Sequence, residues 1–128
     1  MSVNTQISVL IIDDYQTMRG VIRNLFNQLG FSDVREAGTT VEAMDLLKKE
    51  TFGLVVFDWH TGPESGENFM AAVKSDEKLK DVPFILISAE SGDDQILSMK
   101  KSGAADFIAK PFTKATLQKK MAKLFGGS

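Results

Sequence analysis

The chain has 128 residues, of which 43% are hydrophobic and 25% charged, with a formal net charge of -2. This length suits one compact domain and is too short for two ordinary ones. Because there is no cysteine and only one histidine, disulfides, thiolate metal sites and cysteine nucleophiles are excluded, and a His-rich metal site is disfavoured.

Short apolar runs alternate along the chain with longer segments of helical periodicity, which predicts repeated strand-helix units. The predicted strands cover residues 7–12, 33–37, 54–57, 84–87 and 106–109. The predicted helices cover about residues 18–29, 39–49, 66–74, 91–102 and 113–125. Thr39 and Glu42 form a capping-box pattern, and Gly30 and Gly103 stand where helices end.

Near-continuous apolar strands indicate burial on both faces, as in a parallel sheet. We therefore expect an α/β fold with a doubly wound, five-stranded parallel sheet in the order 2-1-3-4-5 and five helices, like that of flavodoxin. Residues 126–128 are interpreted as a frayed tail or a cloning remnant.

Polar side chains follow the predicted strands where each one ends. Asp13 and Asp14 follow the first strand, Asp58 the third, Ser88 the fourth and Lys110 the fifth. Ligand sites of open parallel sheets lie just beyond the carboxyl ends of the strands, so these groups are expected to converge. Three clustered carboxylates without histidine or cysteine ligands favour Mg²⁺, or Mn²⁺ in its place.

Such a site suits phosphoryl transfer, in which an aspartate can itself be the nucleophile. Asp58 is the best candidate, with Lys110 and Ser88 stabilising charge on the transferred group. Taken singly, each residue has a plainer reading: the Asp13-Asp14 pair as a helix N-terminal acidic pair, Ser88 as a turn residue, and Lys110 as a surface amine.

Four segments resemble the receiver domain of two-component response regulators, most closely a stand-alone chemotaxis regulator of the CheY type. They are VLIIDDYQTMRGVIRNLFNQLGF at 9–31, VVFDW at 55–59, ISAE at 87–90 and AADFIAKPFTKATLQKKMAKLF at 104–125. The resemblance covers essentially the whole chain. It implies a single receiver domain over residues 1–128, with no output domain.

The resemblance also implies a role for each matching residue. Asp58 matches the phosphoacceptor, Asp13 and Asp14 the acidic pair that binds Mg²⁺, and the backbone carbonyl of His60 another Mg²⁺ ligand. Ser88 matches the switch hydroxyl.

Lys110 matches the family's lysine, which precedes an expected cis bond to Pro111. Phe107 matches a rotating aromatic residue that reports phosphorylation to the face formed by the fourth helix, fifth strand and fifth helix.

Two departures from the family pattern lie just after the acceptor. The loop after it reads Thr61-Gly62-Pro63, with proline one place late, and His60 replaces a smaller or amide residue. We hypothesise that His60 and Glu90 tune dephosphorylation, His60 by crowding the attacking water; the alternative is an exposed loop histidine without kinetic effect. Trp59 lies either at the pocket rim or in simple packing.

The function implied is a phosphorylation-activated switch that receives its phosphoryl group from a chemotaxis-type histidine kinase. Its output would be binding to a flagellar motor switch protein or another acidic partner segment; a phosphate sink or an unphosphorylated binding scaffold is the alternative. A phosphatase is a further candidate partner, and a monomer is expected. A Mg²⁺-dependent aspartyl phosphatase is disfavoured, because His60 stands where such enzymes need a catalytic acid.

Charge is unevenly distributed: residues 1–99 carry 8 basic and 16 acidic side chains, and residues 100–128 carry 7 and 1. We predict that the basic block steers an acidic partner to the output face, with Lys119 and Lys123 central, rather than only solvating a helix. Nucleic-acid binding is not supported. No apolar run is long enough to span a membrane and no secretory signal is visible, which predicts a soluble cytoplasmic protein.

Overall fold

The computed structural model describes residues 5–89 and 92–125. Five strands and five helices alternate within this part of the chain. The strands are β1 (Val9–Ile12), β2 (Val34–Ala37), β3 (Leu54–Asp58), β4 (Phe84–Ser88) and β5 (Asp106–Ala109). The helices are α1 (Gln16–Gln28), α2 (Thr40–Lys49), α3 (Gly66–Ser75), α4 (Asp93–Lys101) and α5 (Lys114–Phe125).

All neighbouring strands pair in parallel, in the order β2-β1-β3-β4-β5. This confirms the predicted topology. The three central strands are buried along their whole length, which explains why their sequences read as apolar runs without alternation.

Side chains alternate between the two faces of the sheet and feed two hydrophobic clusters. On one face, the strands pack against α1 and α5 through Ile22, Phe26, Leu117 and Met121. On the other face, α2, α3 and α4 contribute Ala43, Leu47, Phe69, Met70, Val73 and Met99. Helices thus cover both faces of the sheet, and the ends of the strands remain accessible for a site.

The predicted helix ends agree with the structure. Gly30 has a φ of 101° just after α1, and Gly103 has a φ of 88° just after α4; both values lie in the region that only glycine adopts without strain. Thr39 Oγ1 accepts a hydrogen bond from the backbone N–H of Glu42 at 3.1 Å. In a standard capping box, the Glu42 side chain would accept a hydrogen bond from the backbone N–H of the N-cap residue, Thr39. Here Glu42 Oε1 accepts instead from the N–H of Gly38, one residue earlier.

Strand boundaries differ from the prediction by one or two residues. β1 begins at Val9, two residues later than expected, whereas β3 and β4 each extend one residue further, to Asp58 and Ser88. The extension of β3 follows from strand pairing, since Asp58 is in register with Ile87 of β4.

No helix in the described ranges is long and apolar enough to cross a membrane.

Candidate functional site at the carboxyl edge of the sheet

The carboxyl edge of the sheet brings together the polar residues that follow the strands. Asp58 and Ser88 are the last residues of β3 and β4, and Lys110 follows β5, its backbone N–H donating to the Ser88 carbonyl at 2.9 Å. Asp13 extends the ladder of β1, with its N–H donating to the carbonyl of Ala37 at 3.1 Å. Parallel pairing therefore delivers these side chains to one place.

Asp58 is buried, with 8% of its side chain exposed. Its Oδ1 accepts a hydrogen bond from the backbone N–H of His60 at 3.0 Å. Its Oδ2 accepts from Lys110 Nζ at 2.7 Å. Both oxygens are thus held by donors, which fixes the orientation of the carboxylate within the site.

Asp13 is more deeply buried than Asp58. Its Oδ1 accepts from the N–H of Tyr15 at 2.9 Å, and its Oδ2 lies 3.3 Å from Lys110 Nζ. Asp14 is exposed at the mouth of the site. One carboxylate oxygen from each of Asp13, Asp14 and Asp58 lies within 4.8 Å of the other two.

Burial raises the pKa of Asp13 above its ordinary value, and the neighbouring carboxylate of Asp58 raises it further. The Tyr15 N–H and the Lys110 ammonium lower the pKa, without cancelling the rise. The folded protein therefore holds the Asp13 charge at a cost, which a cation near the carboxylates would relieve.

Lys110 bridges the two buried carboxylates and is itself only 15% exposed. Burial lowers its pKa, but the hydrogen bonds and charges of Asp58 and Asp13 outweigh burial and raise the pKa above its ordinary value. The Lys110 side chain thus stays protonated.

The peptide bond between Lys110 and Pro111 is cis, as the family resemblance implied. The Gly62-Pro63 bond, in the loop that departs from the family pattern, is also cis.

The His60 imidazole lies over the site, with Nε2 3.3 Å from Ser88 Oγ. The residue as a whole is exposed, while Ser88 is buried. The ring therefore borders the space between the end of β3 and the Ser88 hydroxyl. Glu90, the other residue expected to tune dephosphorylation, lies outside the described residues.

Trp59 belongs to the core rather than to the pocket rim. It is 5% exposed and packs edge-on against Phe57 with ring centroids 6.3 Å apart. A Cβ on Gly66 would come within 2.7 Å of the indole and of the Trp59 carbonyl. The packing interpretation of Trp59 is the one that the structure supports.

Two charged residues that the sequence analysis did not single out lie near the functional regions. Arg19 on α1 donates to the backbone carbonyl of Asp13, and Asp106 on β5 anchors Lys120 of α5 at 2.9 Å. Neither contact is signalled by a local motif, because each joins elements whose relative placement is set by tertiary packing.

Phe107, the predicted rotating aromatic residue, is half-buried and packs against the hydrophobic cluster beneath α2, α3 and α4.

The ion pairs of Asp106 lead to a pH prediction. Burial raises the pKa of Asp106, but Lys120, the N–H of Phe107 and Lys123 together bring it below its ordinary value of 3.8. The carboxylate thus stabilises the fold above that value, and this stability is lost as the pH falls through the lower folded-state pKa. Between about pH 6 and pH 3, the free energy of unfolding should fall less in Asp106→Asn than in wild type.

Urea denaturation at the two pH values measures this difference. Asp45→Asn is the matched control, because Asp45 is 70% exposed and pairs with Lys49 at 3.5 Å, a surface contact worth little. An Asp106→Asn variant with the wild-type pH dependence would contradict the assignment.

The ligand chemistry of the carboxyl edge fits a hard divalent cation. All the side-chain oxygens of the acidic cluster are carboxylates, the ligands that Mg²⁺ prefers. Two of the three carboxylates are buried, and Lys110 offsets only part of their negative charge. An aspartate held between an ammonium and a cation site is an arrangement suited to accepting a phosphoryl group.

Comparisons with known proteins identify the family of this chain. The family model described as the response regulator receiver domain matches residues 9–122. The chemotaxis protein CheY-3 of Vibrio cholerae is 38% identical over 122 residues, which cover 95% of this chain and 94% of that protein. The chemotaxis protein CheY of Pseudomonas aeruginosa is 37% identical over 117 residues, covering 91% and 94%.

Solved structures share the fold. CheY4 of Vibrio cholerae superposes with a TM-score of 0.85 at 24% identity, covering 94% of this chain and 99% of that one. The receiver domain of a sensor histidine kinase from Pseudomonas aeruginosa, with a magnesium ion coordinated in its active site cleft, has a TM-score of 0.86 at 20% identity, covering 95% and 99%. This chain belongs to the response regulator receiver domain family and is similar to chemotaxis regulators of the CheY type.

Proposed function

We propose that this receiver domain is a phosphorylation-activated switch and that Asp58 accepts the phosphoryl group. One observation carries the proposal. The Asp58 carboxylate lies at the end of a central strand, 2.7 Å from the Lys110 ammonium and inside a cluster of three carboxylates. The Lys110 ammonium holds this buried carboxylate in one orientation and offsets its negative charge during phosphoryl transfer.

In the proposed reaction, a carboxylate oxygen of Asp58 attacks the phosphorus of a phosphohistidine or a small acyl phosphate. A new O–P bond forms, the donor's P–N or P–O bond breaks, and the donor leaves. Lys110 and Ser88, which lie at the same edge, would contact the phosphoryl oxygens. Hydrolysis later returns the carboxylate, when water attacks the phosphorus and phosphate leaves.

Asp13, Asp14, Asp58 and the backbone carbonyl of His60 would hold Mg²⁺, with Mn²⁺ as a substitute. When bound, the cation neutralises negative charge on the carboxylates and the phosphoryl oxygens. The burial of two of these carboxylates supports the assignment, as does the magnesium ion in the similar receiver domain from Pseudomonas aeruginosa.

The proposed output is a change in protein binding, transmitted through Ser88 and Phe107 to the face made by α4, β5 and α5. A chemotaxis-type histidine kinase would supply the phosphoryl group in the cytoplasm, and a flagellar motor switch protein would read the output. The similarity to two chemotaxis proteins supports this partner class. A phosphate sink or an unphosphorylated scaffold is the alternative.

Exposure to acetyl phosphate and Mg²⁺, followed by intact-mass measurement, tests the proposal. One phosphoryl group adds about 80 Da, and it should appear once per chain and disappear when EDTA is present. An unphosphorylated scaffold would gain no mass. A phosphatase would instead turn over a phosphate monoester many times, whereas the proposed switch should not.

We expect His60→Asn to speed autodephosphorylation about threefold, which corresponds to under about 1 kcal/mol of barrier. The imidazole borders the acceptor site and contacts Ser88, so a smaller side chain opens the approach of water. Phosphate release from the phosphorylated protein measures the rate, with Asn68→Ala on the exposed start of α3 as a control. An unchanged rate in His60→Asn would mean that the imidazole has no kinetic role.

Charge reversal of Lys119 and Lys123 should slow association with an acidic partner segment about tenfold at low salt. The Lys123 side chain is 71% exposed, and its Nζ lies 3.6 Å from Asp106 Oδ2. Its positive charge is therefore only partly offset and can attract an acidic partner. Stopped-flow mixing with the acidic segment of the motor switch protein measures the rate. Reversal of Lys48 and Lys49 on α2 is the matched control, and equal rates for both double variants would contradict steering by α5.

A further inference from the structure

Arg19 on α1 is tied to the backbone of the acidic turn after β1. Its Nη1 donates to the carbonyl oxygen of Asp13 at 2.7 Å, and its Nε donates to Glu36 Oε1 at 3.0 Å. The side chain is 17% exposed. One guanidinium therefore connects α1, the end of β1 and β2 through two directional hydrogen bonds.

The guanidinium is confined from other sides as well. Glu36 Oε2 also pairs with Arg23 Nε at 3.1 Å, so the two arginines share this carboxylate. A Cβ on Gly38 would lie 3.1 Å from Arg19 Nη1, closer than most side chains tolerate. The missing side chain at Gly38 thus leaves the space in which Arg19 reaches the Asp13 carbonyl.

Asp13 makes three contacts besides the one between its Oδ2 and Lys110. Its N–H is bonded to β2 through Ala37, its Oδ1 accepts from Tyr15, and its carbonyl accepts from Arg19. That carbonyl is part of the peptide that leads into Asp14, so the orientation of this peptide affects where both carboxylates point. Arg19 and Arg23 share the Glu36 carboxylate, and of the two arginines it is Arg19 that hydrogen-bonds to the Asp13 carbonyl.

We propose that Arg19 is a positioning residue that orients the Asp13-Asp14 turn for divalent-cation binding. This inference rests on the proposed Mg²⁺-dependent function and deepens it. Removing a group that hydrogen-bonds to a metal ligand, without contacting the metal itself, commonly lowers metal affinity by about 10- to 100-fold. Arg19 would do so without touching the cation, the donor or the phosphoryl group.

The test compares Mg²⁺ affinity in wild type, Arg19→Ala and Arg23→Ala. Arg23 shares the Glu36 carboxylate but contacts the Val34 carbonyl instead of Asp13, so it is the matched control. Calorimetric titration with Mg²⁺ at constant ionic strength should show a dissociation constant about tenfold higher in Arg19→Ala and unchanged within about twofold in Arg23→Ala.

Two further measurements separate positioning from general loosening of the fold. The unfolding midpoint in urea with EDTA should fall in both arginine variants, because both lose a Glu36 contact. Phosphorylation of Arg19→Ala by acetyl phosphate should return close to the wild-type rate at saturating Mg²⁺. Arg19→Lys, which has a single ammonium in place of a fork, should give an intermediate affinity, and it also serves if Arg19→Ala does not fold.

An Arg19→Ala affinity equal to that of wild type would overturn the inference and leave the proposed function intact. Equal weakening in Arg19→Ala and Arg23→Ala would also overturn it, because the effect would then follow stability and not the Asp13 carbonyl. A wild-type protein that binds no Mg²⁺ would overturn both this inference and the proposed metal site.

Discussion

Asp58→Asn is expected to abolish phosphoryl incorporation, with a rate at least about 100-fold below that of wild type. An amide oxygen carries no full negative charge and does not form a stable acyl phosphate. The variant keeps the side-chain shape, and its oxygen can still accept from the His60 N–H as Oδ1 does now. The other contact changes, because the introduced amide N–H₂ would face the Lys110 ammonium, donor against donor.

Intact mass after exposure to acetyl phosphate and Mg²⁺ measures this loss, and circular dichroism confirms that the variant is folded. Asp45→Asn is the control, because this exposed carboxylate on α2 should leave incorporation at the wild-type level. An Asp58→Asn protein that still gained about 80 Da would place the acceptor elsewhere.

Asp13→Asn should have opposite effects on stability with and without Mg²⁺. Without the cation, burial and the charge of Asp58 disfavour the Asp13 carboxylate in the folded protein and raise its pKa. A raised folded-state pKa means that ionised Asp13 costs stability at neutral pH, so a neutral isostere should raise the free energy of unfolding in EDTA.

With Mg²⁺, the order should reverse. A cation present at about 100 times its dissociation constant stabilises the protein that binds it by about 2.7 kcal/mol, and Asp13→Asn removes one buried ligand. Urea denaturation in EDTA and in excess Mg²⁺ measures both quantities in one experiment. Asp33→Asn, which alters an exposed carboxylate beside Arg35, should leave the Mg²⁺ response unchanged.

The pH dependence of wild type provides an independent check. As the pH falls from neutral through the raised pKa of Asp13, the cost of its charge disappears, so this residue alone should make the metal-free protein more stable. That gain should be absent in Asp13→Asn. A variant that is less stable than wild type in EDTA would show that the Lys110 contact at 3.3 Å outweighs the repulsion.

The sequence was sufficient to predict the topology and the set of residues at the carboxyl edge. Buried parallel strands appear as apolar runs, and the residue that ends such a run necessarily lies at the edge of the sheet. The structure brings Asp13, Asp14 and Asp58 within 4.8 Å of one another and Lys110 against two of them.

Other features depended on how helices and loops dock on the sheet. The contact of Arg19 with Asp13, the pairing of Asp106 with Lys120 and the position of the His60 ring beside Ser88 join residues from different elements. Trp59 was assigned to either the rim or the core from sequence, and its packing against Phe57 decides the matter.

By itself, then, the sequence determined which helix faces are buried and which polar groups reach the carboxyl edge, because helical periodicity and the ends of apolar runs are visible in the local pattern. Only the tertiary structure decided how those groups are held. The rotation of α1 and α5 on the sheet selects the partners of Arg19 and Asp106, and that rotation results from the packing of whole hydrophobic faces, which no short segment encodes.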